Sequence, residues 1–125
     1  MEKFRFLKWE VYNDAKILAS EILKIVKKLP SEYRFELGSQ IIRSSFSIAL
    51  NIAEGSGKAS DKELIRYFNI SVGSANETLA SLDIFMDNKL ISKEEFEKLF
   101  MLIMKISSQL GAFKKRLKVD GSHKS

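Results

Sequence analysis

The amino-acid sequence predicts an all-α fold, an antiparallel up-down-up-down four-helix bundle. Three observations carry this reading. Apolar residues recur at spacings of three and four in four separate segments. Two capping-box sequences, Ser60-Asp61-Lys62-Glu63 and Ser92-Lys93-Glu94-Glu95, open the third and fourth of these segments. The connections are short, which makes consecutive helices antiparallel neighbours. At 125 residues the chain holds one domain, expected over 1–118, with 119–125 as a flexible C-terminal tail.

Met1 to Lys8 is a basic and aromatic lead-in whose Phe4, Phe6 and Leu7 are available to pack across a bundle end. The first helix runs from Trp9 to Lys28, because Val11, Ala15, Leu18, Ile22, Ile25 and Leu29 share a face, and Pro30 stops it. Lys24, Lys27 and Lys28 suit the negative end of its dipole and need no ligand to explain them. Pro30-Ser31-Glu32 reads as a short connection with room for one turn, so the second helix is expected from Tyr33 or Phe35 to Ser56. Gly55 and Gly57 close it, since glycine accepts the left-handed geometry of a C-cap. The segment from Gly55 to Ala59 lacks the Walker spacing and a preceding strand, and reads as a turn. The third helix extends to about Asn88 on a stripe of Leu64, Phe68, Val72, Ala75, Leu79, Leu82 and Met86. The fourth carries Phe96, Leu99, Ile103, Ile106, Leu110, Phe113 and Leu117.

The second helix is unusually apolar. Leu37, Ile41, Ile48 and Ile52 form one line, and Ile42, Phe46, Ala49, Leu50 and Ala53 form another, so that roughly two thirds of its circumference is greasy. One line faces the chain's own core; the other is expected to face another subunit or to lie deep in the bundle. Arg43, Phe46, Ser47, Leu50 and Glu54 are therefore candidate packing or oligomer-interface residues. Arg43 and Glu54 are read as a buried ion pair or an interhelical contact rather than as chemistry. Folding the third helix back on the second places Ser44, Ser45 and Ser47 opposite Gly73, Ser71 and Ser74. Gly73, which costs about 1 kcal/mol relative to alanine in mid-helix, is expected to have a packing reason, in the bundle or in its assembly.

Lys and Arg total 21 against 16 Asp and Glu, a net charge of +5. The predicted topology concentrates that excess. Arg5, Lys8, Lys58, Lys62, Arg66, Lys114, Lys115, Arg116 and Lys118 collect at one end, while the opposite end is near neutral. Repeated around a parallel cyclic oligomer, such an end would attract phosphate backbones. Helix-dipole complementation by Lys114, Lys115, Arg116 and Lys118, with ordinary solvation, accounts for the same charges. No base-reading motif is visible, so any binding to RNA or DNA is expected to be largely sequence-independent.

The functional classes that the residues disfavour are numerous. There is no cysteine, which removes disulfides, thiolate metal sites and cysteine nucleophiles. His123 is the one imidazole, and Glu-x-x-His di-iron pairs are absent. No catalysis, metal or cofactor is expected. The longest apolar run, Leu99 to Met104, is far short of a membrane span, and the N-terminus lacks a signal-peptide core, so a cytoplasmic location is expected.

Ser39-Gln40-Ile41, Arg43, Ser47-Ile48 and Asn51-Ile52-Ala53-Glu54-Gly55, followed by Glu63-Leu64-Ile65-Arg66-Tyr67-Phe68 and Gly73-Ser74 with Glu77, occur in order along the chain. In these elements it resembles the four-helix bundle proteins encoded by intervening sequences of bacterial 23S ribosomal RNA genes. The resemblance covers Trp9 to Leu117, and departs where the family often has proline (Ala49 here) and a second basic residue (Ile42 here). It implies a homopentamer. A similar relative, the accessory variability determinant of diversity-generating retroelements, is a basic pentamer that binds nucleic acid and a reverse transcriptase. Two expectations follow: a non-catalytic oligomeric binder of RNA or DNA working through the basic end, or a protein-interaction scaffold for a partner enzyme without nucleic-acid affinity of its own.

Overall fold

A computed structural model of the chain describes the backbone of residues 2–124 and the side chains of residues 3–118. A 3-10 segment, Glu2–Lys8, precedes four helices: α1 (Glu10–Lys28), α2 (Ser31–Ser56), α3 (Asp61–Asp87) and α4 (Lys93–Lys124). No strand occurs among the described residues. The tail expected at 119–125, with His123, lies outside the described side chains; the backbone of α4 continues to Lys124.

The helices close a ring in which α2 packs on α1 and α3, and α4 packs on α3 and α1. Val11, Ala15, Leu18, Ile22, Ile25 and Leu29 are all buried, as their spacing on α1 predicts. Ile41, Ile48 and Ile52 of α2 meet them, with Leu64, Phe68, Ala75 and Leu82 of α3 and Leu99, Ile103, Ile106 and Leu110 of α4. Each of the larger side chains among these contributes about 1.5–3 kcal/mol of transfer free energy, opposed by the entropy of ordering it.

The second apolar line of α2 is not deep in the bundle. α2 has no backbone neighbour in α4. Ala49 is buried and Ile42, Phe46 and Ala53 are half-buried, but Leu50 is 62% exposed and Phe35, beyond the line's N-terminal end, 82%. Of the two expected places for this line, the bundle interior is thus overturned.

The α2–α3 contact is the most extensive in the molecule, and small hydroxyl side chains mark it. Ser71 donates to the Ile48 carbonyl at 2.9 Å, the Ser74 and Ser47 hydroxyls lie 2.9 Å apart, and those of Thr78 and Ser44 also 2.9 Å. Positions rise along α2 as they fall along α3. Ser44, Ser71 and Thr78 are buried, so the bonds they make avoid stranding a polar group in the core, while Ser47 and Ser74 are half-buried and the buried Ser45 donates to the Ile42 carbonyl of its own helix.

Gly73 is not part of that seam. It is exposed, and a β-carbon there would meet nothing within 4 Å, so it has no packing reason inside the protomer. The close approaches are elsewhere. A β-carbon at Gly55 would lie 2.7 Å from Cβ of Tyr67, and one at Gly38 would lie 2.8 Å from Cγ1 of Val26.

The ends of the helices explain their boundaries. α2 starts two residues before Tyr33 because the Pro30 carbonyl already accepts from the Tyr33 and Arg34 amides, at 2.9 and 3.1 Å. Its last turn needs no left-handed glycine: Gly57 has φ −89°, and Gly55 is still helical. The left-handed residue is Lys89, φ 59°, which ends α3 with Leu90 bonding back to Phe85 and Lys89 to Met86. The Ser92–Glu95 capping box is complete, each residue's amide donating to the other's side chain. At Ser60 only the forward half forms, from the Glu63 amide at 3.2 Å, because the Glu63 carboxylate turns to Arg66.

Candidate functional site

The basic end is assembled by contacts between segments far apart in sequence. Arg5 of the 3-10 segment donates to the Ser56 carbonyl through Nε and Nη2, at 3.3 and 3.2 Å, holding the N-terminus against the end of α2. Trp9, Phe68 and Phe113 pack edge-to-face, with centroids 4.8–6.2 Å apart, and join α1, α3 and α4. Lys114 Nζ donates to Asn69 Oδ1 at 2.7 Å. Phe6 packs on Tyr12 at 4.8 Å, while Phe4 and Leu7 remain exposed.

Two of the expected cations are neutralised within the chain. Lys58 Nζ is 3.4 Å from Glu54, and Arg66 Nε is 2.8 Å from Glu63. Both also stand over the Tyr67 ring, Lys58 at 5.3 Å and Arg66 at 4.6 Å. The hydrogen bond with Glu54, then Tyr67 and the Glu54 charge, hold the Lys58 pKa above the ordinary lysine value. The hydrogen bond from Arg66, and then its charge, holds the Glu63 carboxyl below the usual carboxylate value; the same pair raises Arg66. Tyr67, a platform for both cations, was not visible as such in the sequence.

The other cations at this end lack a carboxylate. Among the described residues none lies within 4 Å of Lys8, Lys62, Lys115, Arg116 or Lys118; Arg5 and Lys114 are held only by neutral acceptors. The rest of the bundle is more evenly matched: Lys24, Lys28, Lys93, Lys98 and Lys105 each pair with Glu or Asp, at 3.2–3.9 Å, while Lys16 lies over the Tyr12 ring and Arg34 donates to the Leu29 carbonyl.

The candidate interface residues spread along the outer flank of α2. Arg43 and Glu54 do not form the expected buried pair: both are exposed, and Glu54 goes to Lys58. Arg43 lines a groove with Phe35, Glu36, Ser39, Gln40 and Glu77. Leu50 lines another with Phe4, Phe6, Ala53 and Lys58. Phe46 is half-buried between the two, and Ser47 is tied to Ser74 and to the Asn51 amide, at 2.8 Å from its carbonyl. A third groove, which the sequence did not suggest, lies between the start of α1 and the last turns of α4, lined by Lys8, Trp9, Glu10, Val11, Gln109, Ala112, Phe113 and Arg116. No group of three or more His, Asp or Glu among the described residues is arranged to hold a metal ion. No described helix is long and apolar enough to cross a membrane.

Four long helices, each packed on two neighbours, define a small helical-bundle protein. The chain belongs to the 23S rRNA-intervening sequence protein family, whose pattern matches residues 8–112. A similar solved structure is a protein of unknown function from the S23 ribosomal protein family of Bacteroides thetaiotaomicron VPI-5482. It is 28% identical, with a TM-score of 0.78, over 84% of this chain and 98% of that one. No curated protein matches the sequence.

Proposed function

We propose that this family member is a non-catalytic, cytoplasmic nucleic-acid binder that contacts RNA or DNA phosphates through its basic end. The observation that carries the reading is the contrast in charge pairing: among the described residues, Lys24, Lys28, Lys93, Lys98 and Lys105 are matched to carboxylates along the rest of the bundle, where Lys16, Lys27 and Lys89 are not, whereas of the nine candidate cations at this end only Lys58 and Arg66 are matched. Phosphate contacts made by such cations release counterions and require no fixed sequence.

In this proposal the antiparallel up-down-up-down bundle assembles as a homopentamer, as in the relative from diversity-generating retroelements, with the exposed Phe35–Leu50 flank of α2 in the contact. A ring of parallel protomers multiplies the basic end on one rim. The deciding experiment is the salt dependence of binding to a labelled RNA. Affinity is expected to fall steeply with salt, and Lys114→Glu, Lys115→Glu and Arg116→Glu together are expected to reduce the slope by about 0.7–0.9 for each phosphate no longer neutralised. An RNA affinity indifferent to salt, or absent at low salt, would favour the scaffold reading instead. The grooves at Leu50 and Arg43 would then hold a partner such as a reverse transcriptase.

A further inference from the structure

Resting on the nucleic-acid reading, we infer that the groove between the start of α1 and the last turns of α4 receives an unstacked base of a single-stranded nucleic acid. Its volume is about 400 Å³. Trp9, half-buried, and Phe113 form aromatic wall, and Lys8 and Arg116 supply cations that no carboxylate of the described residues engages. The Arg116 guanidinium stands 5.1 Å over the Phe113 ring. Aromatic faces beside positive charge are what a single strand uses: bases stack while the phosphates that link them are neutralised.

A polar observation points the same way. Gln109 donates through Nε2 to Glu10 at 2.6 Å and to Asp14 at 3.1 Å, while its buried Oε1 has no hydrogen-bond partner. Gln109 also lines the groove, but its Oε1 is closed off from it, so a base amino or imino N–H would supply the missing donor only after the amide turns outward. Glu10, the one carboxylate of the lining, is engaged by Gln109 and stands 3.9 Å from Lys105, so its charge is partly offset. A duplex keeps its bases stacked inside and can offer this groove only phosphates. The selectivity that results is for unpaired strands.

Trp9 is the chain's one tryptophan, so its emission reports on this groove together with the Arg5 guanidinium 5.2 Å over its ring, and the abasic and duplex controls separate the two. The experiment titrates the full chain with short single-stranded oligoribonucleotides and oligodeoxyribonucleotides, following both Trp9 emission and the anisotropy of a label on the oligonucleotide. An abasic strand and a blunt duplex of equal length are the controls. Intact single strands are expected to change Trp9 emission as they bind, and the controls to bind without that change. Lys8→Gln with Arg116→Gln is expected to raise the midpoint of the emission change about tenfold, with helicity by circular dichroism unaltered. A larger response to the ribo strand identifies RNA as the source, and equal responses identify either. If anisotropy rises while Trp9 emission stays constant, or if abasic and duplex strands change it equally, this groove does not take a base, though the basic end still binds. Absence of any anisotropy change at low salt defeats the nucleic-acid reading and this inference together.

Discussion

Gly38 and Gly55 are the positions where the helices leave no room for a side chain. Alanine at Gly55 would push on Tyr67 and Leu64, and alanine at Gly38 on the β-branched Val26, which has little rotamer freedom to yield. Each substitution is expected to cost about 1–3 kcal/mol by overpacking, whereas Gly73→Ala is expected to add up to about 1 kcal/mol from helix propensity alone. Urea unfolding at matched protein concentration checks this, and a destabilising Gly73→Ala would restore a packing role to that residue. For packing inside the protomer, the sequence pointed to Gly73 rather than to Gly38 and Gly55, for a physical reason. A mid-helix glycine looks costly wherever it stands, but whether a neighbour crowds it depends on the rotation of the helix, and Gly73 faces outward. Gly55 looked like a terminator because a second glycine and a lysine follow it; in fact α2 runs through it so that Tyr67 can pack close.

At the level of single elements, most of what positions the basic end was legible in advance. The stripes of α1 and α4 match the buried residues closely, because a single apolar face against a single core leaves little choice of rotation. The charges were harder. Spacing places Glu63 three residues before Arg66, yet it serves equally for a cap to Ser60, and only the geometry shows that the carboxylate leaves the cap for the guanidinium. That choice has a titration signature. The Glu63 carboxyl is held below the usual value, so its pairing with Arg66 favours the folded helix at pH above the ordinary carboxylate range and is lost as pH falls through the lowered folded value. In a side-chain carbon NMR titration, Arg66→Gln is expected to move the Glu63 midpoint upward; an unmoved midpoint would mean that the pair does not persist in solution.

For the whole molecule, the open matter is what covers α2. A chain that leaves Leu50 at 62% and Phe35 at 82% exposure on one flank, with Phe4 beside Leu50, presents apolar surface of the kind that marks association sites. Under the proposed assembly, the unmodified protein is expected to run at about five times its 14.3 kDa chain mass. Leu50→Lys is expected to run as the monomer while keeping its helicity. Light scattering measures this directly, and a wild-type protein already at the chain mass would remove the assembly from the proposal. The sequence exposed the surplus of apolar surface on this helix, but not which line stays outside, because that is decided by where α4 sits.

The row of hydroxyls between α2 and α3 has one more implication. Contacts between methyl groups tolerate sliding, since one aliphatic neighbour replaces another at little cost, whereas Ser71, Ser74 and Thr78 each find an acceptor or a fellow hydroxyl at a single offset along the partner. A shift by one turn would leave the buried Ser71 hydroxyl without its acceptor, at about 1–3 kcal/mol, and would break the Ser74–Ser47 and Thr78–Ser44 contacts, although Thr78 and Ser44 keep carbonyl partners within their own helices. These small alcohols therefore act as an alignment key, and what they align is the corner between α2 and α3, where Gly55 and Tyr67 meet beneath Lys58 and Arg66.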